Sequence, residues 1–220
     1  VINGLILPKT VQAVYNGIDP AGMTAQMIRI GRLTMFILLF FLGAFILLGQ
    51  NFINLWVGET YADSWIVALL IMIAYTIPMA QGYAHSMLEA KKMLKFRTYT
   101  FLIFVVLGLL SGWWLSYKYA STGMIIGLFS GMIIMQLIMN VYYNKIGLNI
   151  MYFFKKAVLP YLIPFLLILG AAYFIFFLKQ DNNWFWLITK GFIYTVIYII
   201  VMYFVLNHDE KRLIFNQYIK

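Results

Sequence analysis

The sequence has no cysteine, two histidines, and only seven acidic residues against sixteen Lys and Arg. Each shortage closes a class of chemistry. Without cysteine there are no disulfides, thiol nucleophiles or thiolate metal sites. His85 and His208 stand too far apart in the chain to seed a metal cluster, and no metal is expected. No two acids stand within a few residues of each other in a plausible catalytic site, most lying at loops or ends. Neither H-E-x-x-H, G-x-S-x-G nor a phosphate loop occurs, so the chain does not read as an enzyme. Long polar stretches are missing too, so no extramembrane domain is expected within these 220 residues.

What fills the chain is hydrocarbon. Hydrophobic residues make up 64% and charged residues 10%, where a soluble domain averages nearer a half and a quarter. The fold class that follows is an all-α integral membrane protein. The formal net charge of +9 does not point to nucleic acid, because the cations sit in short loops between apolar runs, where membrane topology accounts for them.

Six apolar runs are long enough to span a bilayer, at about 33–49, 65–88, 98–117, 122–143, 158–178 and 184–206. Residues 1–20 read as the end of a preceding helix and a link; residues 21–206 hold the six-span bundle; residues 207–220 form a polar, basic tail. Pro8 and Lys9 close the first segment, and Asp19-Pro20 opens the next, Asp as a cap and Pro at the first helical position. Val1 falls inside an apolar phrase with no signal peptide before it, so the chain is expected to be the C-terminal part of a longer protein. Lys145, Lys155 and Lys156 with Tyr152, Phe153 and Phe154 read as a helix lying in the membrane interface. Lys179–Asn183 reads as a tight turn, and Leu213, Ile214 and Tyr218 of the tail are placed to rest on the bilayer.

Charge orients the spans. With the segment before the first span inside, 13 of the 16 cations fall inside, and Lys118, Lys179 and Lys190 remain outside. All six tryptophans fall at outer ends. The C-terminus is then cytoplasmic. Lys190, a turn or two into the sixth span, is expected to snorkel outward.

Polar residues inside spans are the candidates for function, because at membrane depth they face a bundle interior or water. Gln81, His85 and Glu89 recur at i, i+4, i+8 and share a helix face with Pro78, whose missing N–H makes it a hinge candidate. Gln136, Asn140 and Asn144 form a second such stripe. Both stripes are candidates for a substrate path, with interhelical hydrogen bonding as the plainer alternative. Arg29 and Arg32, at the entry of the first span, offer guanidinium forks that match a diphosphate, although positive-inside topology also explains them. Gly108 and Gly112, and Gly123, Gly127 and Gly131, are spaced for close packing of the third and fourth spans.

Trp56-Val57-Gly58 with Tyr61, a span containing Pro78, and then Leu88, Ala90 and Lys92 make up a W-V-G-x-x-Y turn followed by L-x-A-x-K. This stretch resembles the C-terminal half of bacterial polysaccharide flippases of the multidrug/oligosaccharidyl-lipid/polysaccharide exporter superfamily. The tail from Leu206 to Lys211 is similar to the end of many members. The resemblance implies most of the second lobe of a two-lobed transporter of about 12 to 14 helices, resident in the bacterial cytoplasmic membrane. It implies movement of undecaprenyl-diphosphate-linked oligosaccharide repeat units between leaflets by alternating access, with the lipid-linked oligosaccharide, the bilayer, the N-terminal lobe and other polysaccharide-assembly proteins as partners. No cofactor is implied, and the energy source, an ion gradient or another, stays open. Other readings are a multidrug or lipid II exporter of the same superfamily, a non-transport membrane subunit, and a glycan polymerase. A cation-coupled drug exporter wants a membrane-embedded carboxylate where this chain has only Glu89 near an end; a polymerase wants a large outer loop.

Overall fold

Nothing between Pro20 and Trp56 stops a helix, and the computed structural model carries one unbroken through that range (α1, Pro20–Trp56), well beyond the apolar run read from sequence. The structure describes residues 17–177, 183–208, 210 and 211, together with Thr10, Gln12 and Tyr15. The readings for Val1–Leu7, for most of the Lys179–Asn183 turn, and for Leu213, Ile214 and Tyr218 lie outside them. Asp19 opens α1 as read, its Oδ1 accepting the Gly22 N–H at 3.1 Å. Gly58 ends it: at φ +105 its N–H bonds back to the Ile53 carbonyl, a conformation that favours glycine.

After a short 3-10 turn (Glu59–Tyr61) come α2 (Ser64–Ala80) and α3 (Gly82–Ala90), then α4 (Leu94–Ala120) and α5 (Thr122–Lys145). The chain continues with α6 (Ile150–Phe153), a π turn (Phe154–Val158), α7 (Leu159–Phe177) and α8 (Trp184–Val205). Every regular element among the described residues is helical. Five helices are long and apolar enough to cross a membrane, or six if the bent pair α2–α3 counts as one span. This is the build of a multi-pass membrane protein.

Two differences from the sequence reading have local causes. The segment read as a separate surface helix runs without a break into the fifth span, with Asn149 capping it by accepting the Tyr152 N–H at 2.9 Å. The π turn stands just before Pro160, whose ring would clash with the carbonyl four residues back in a regular helix; a wider turn relieves that contact. The second difference is the 53° break between α2 and α3 at Gln81.

The chain divides into two units. The first takes residues up to Gly31 and Ile66–Lys156; the second takes Arg32–Trp65 and Ala157 onward. In the first unit, α4 and α5 fold back on one another at Tyr119–Ala120, where Ala120 adopts φ 47. Their glycines meet: a Cβ on Gly127 would lie 2.2 Å from the Gly112 backbone nitrogen, and one on Gly131 would lie 2.5 Å from the Phe104 carbonyl oxygen. In the second unit, α7 packs on α8, and α8 turns a stripe of Lys190, Tyr194, Tyr198 and Met202 inward. The phenols of that stripe bond to α1: Tyr198 Oη donates to the Phe36 carbonyl at 2.6 Å and Tyr194 Oη to the Phe40 carbonyl at 3.0 Å. Gly43 makes room for the second, since a Cβ there would lie 2.3 Å from Tyr194 Oη. Lys190 is buried on the same stripe rather than extended outward.

Candidate functional site

The first unit gathers amides at the break in the second span. Pro78 lacks the N–H that would bond the Ala74 carbonyl, and three residues later the helix gives way at Gln81, which sits at φ −90, ψ 18. Gln81 Nε2 donates to Asn140 Oδ1 at 2.9 Å. Gln136 Nε2 donates to Gln81 Oε1 at 2.6 Å and to Asn140 Oδ1 at 3.1 Å. The two polar stripes thus converge on each other: Gln81 is buried, while Gln136 and Asn140 are half-buried. Three amides that can both donate and accept match sugar hydroxyls, and they also tie the broken span to α5.

The rest of the stripe disperses. His85 faces Arg97, whose Nη1 lies against both ring nitrogens, at 2.8 Å from Nε2. Glu89 is exposed. Asn144, the last of the second stripe, caps the turn after α5 by accepting the Ile150 N–H at 2.9 Å. On the other side of α3, the Tyr83 and Ser86 hydroxyls are buried with their hydrogen-bonding capacity unused among the described residues.

The second unit holds the other buried polar cluster. Arg32 donates from Nε to Glu210 Oε1 at 2.5 Å and from Nη2 to Glu210 Oε2 at 3.0 Å. The fork read as a diphosphate grip is therefore filled by a carboxylate of the same chain. Tyr161 Oη donates to Glu210 Oε2 at 3.3 Å and its ring lies 5.0 Å from the guanidinium carbon. The Asn207 N–H donates to the same oxygen at 2.7 Å. Burial alone would raise the Glu210 carboxyl; the Arg32 hydrogen bond and charge, with the Asn207 N–H, outweigh it and hold the group below the usual range. Arg29, one turn before Arg32 on α1, is exposed.

Comparisons with family models, curated proteins and solved structures returned no match.

Two participants escaped the sequence reading. Glu210 was legible in principle: Asn207-x-x-Glu210 is a capping-box pattern, in which the fourth side chain reaches back to the first N–H. Its pairing with Arg32, 178 residues away, had no local signal. Arg97 is one of the inside cations that membrane topology explains, and its contact with His85 depends on the turn between α3 and α4.

Proposed function

We propose that the chain forms part of a transporter that moves undecaprenyl-diphosphate-linked oligosaccharide units across the bacterial cytoplasmic membrane by alternating access. The observation that carries this reading is the meeting of Gln81, Gln136 and Asn140 at a 53° break in a membrane-span candidate. Polar groups at membrane depth are costly and tend to serve a pathway. A span broken beside a proline is a joint about which two halves rock, and the amides at the joint exchange their mutual hydrogen bonds for those of a passing sugar. The resemblance of the Trp56–Lys92 stretch supplies the substrate class.

In this reading the Lys91 end of the broken span and the C-terminus face the cytoplasm, and the chain works with a second lobe. Of the two arginines at the entry of α1, Arg29 is the one free of Glu210 and exposed to meet a diphosphate. No covalent step is involved.

The test is transport of a fluorescent lipid-linked oligosaccharide in vesicles reconstituted with the whole native protein. Gln81→Leu, Gln136→Leu and Asn140→Leu, singly and together, keep abundance and folding but lose transport, by about tenfold or more for the triple change. A triple variant with undiminished transport would remove the amide cluster from the path. A wild-type protein that moves no such lipid would favour the non-transport subunit.

A further inference from the structure

We propose that the first unit binds one anionic lipid, with its hydrocarbon chain in an apolar cleft between α2, α4 and α5 and its phosphate at Arg97. The cleft has a volume of about 310 Å³ and is walled by Ile71, Ala74, Tyr75, Phe101, Val105 and Leu128 among others, with almost no polar surface. A cleft of this volume is within the range of small-ligand sites. Its walls belong to helices apolar enough to lie in a membrane, so hydrocarbon is the medium around it. Apolar cavities do not hold water. A lining of aliphatic and aromatic side chains offers contact to an alkyl chain and no partner to a polar ligand.

Charge fixes the other end of the ligand. Arg97, Phe101 and Val105 stand at i, i+4, i+8 on one face of α4, so Arg97 lies one turn of helix, about 6 Å of backbone rise, before the Phe101 wall of the cleft. Arg97 uses Nη1 toward His85, and its Nε and Nη2 donors are uncommitted among the described residues. It has no acidic partner there. Lys91, Lys92 and Lys95 add positive charge around the start of α4, where Glu89 is the nearest acid in sequence. An arginine fork with spare donors matches phosphate oxygens, and the cluster favours a headgroup of net negative charge over a zwitterionic one. The site stands whether or not the chain translocates a glycan lipid.

The experiment is native mass spectrometry of the purified full-length protein taken from vesicles of equal phosphatidylglycerol and phosphatidylcholine. The wild type is expected to retain one phosphatidylglycerol, preferred by about tenfold. Arg97→Gln keeps lipid but loses the preference. Ala74→Phe fills the cleft and loses both lipids, and Val105→Trp carries the same test should the first variant fail to fold. Excess inorganic phosphate leaves phosphatidylglycerol bound, because the chain supplies the larger share of the contact. Displacement by phosphate, equal retention of the two lipids by the wild type, retention unchanged in the cleft variants, or a second protein chain in the retained mass would each overturn the proposal.

Discussion

At the scale of single residues, the contact that most constrains the molecule is between Arg32 and Glu210. Both are buried, and four N–H or O–H donors converge on one carboxylate. Removing one partner strands the other: Glu210→Gln or Arg32→Met each costs about 3 kcal/mol or more, while the double change Arg32→Met with Glu210→Leu costs less than the sum of the singles. Thermal unfolding in detergent reads all three. The pair also sets a pH dependence. Glu210 titrates lower folded than unfolded, so its contribution is fully present above the unfolded carboxyl value of ~4.3 and fades as pH falls through the lower folded value. Stability measured from neutral pH down to about 3 falls in that acid window for the wild type. Glu210→Gln removes this part of the fall, and an identical pH profile in the variant would show that Glu210 is not its source.

At the scale of elements, the α4–α5 hairpin depends on backbone approach. Gly127→Ala places a methyl group 2.2 Å from a backbone nitrogen that cannot swing aside, unlike the end of a flexible side chain. The expected loss is about 1–3 kcal/mol. Gly170→Ala on α7, with nothing within 4 Å, is expected to be neutral or to stabilise by up to about 1 kcal/mol through helix propensity. Equal effects at the two sites would mean that the hairpin is not packed through its glycines. This spacing was legible because a four-residue repeat of small residues has one geometric consequence, and the helix start at Asp19-Pro20 was legible for the same reason. The long α1 was less so: hydropathy marks only the apolar stretch, whereas a helix continues until something breaks it, here Gly58. The break at Gln81 was half legible. Pro78 marked a hinge, but which residue leaves the helix depends on the partners that receive it, and Gln136 and Asn140 lie more than fifty residues downstream. Convergence of the two amide stripes, like the Arg32–Glu210 pair, is a tertiary fact that periodicity does not encode.

At the scale of the whole molecule, the bent pair α2–α3 has two possible courses, across the membrane or in and out by one side. Their 17 and 9 residues, bent by 53°, extend about 34 Å along the first axis, against a hydrocarbon core of about 30 Å. Length therefore permits a crossing. Charge argues for it: Trp56 and Glu59 stand before the pair, and Lys91, Lys92 and Lys95 stand after it, the asymmetry expected across a bilayer rather than within one face. The two arrangements differ in parity, and these 220 residues contain no thiol that would compete with an introduced one. Single Glu59→Cys, Lys95→Cys and Lys118→Cys variants are treated in intact cells with a membrane-impermeant maleimide. A crossing pair gives labelling at positions 59 and 118, with position 95 reacting only after permeabilisation. A re-entrant pair puts 59 and 95 on the same side and 118 on the other. That second pattern would strand the cationic cluster on the same side as Trp56 at the end of α1, reverse the orientation of every later span, and remove the alternating-access joint from the proposed mechanism.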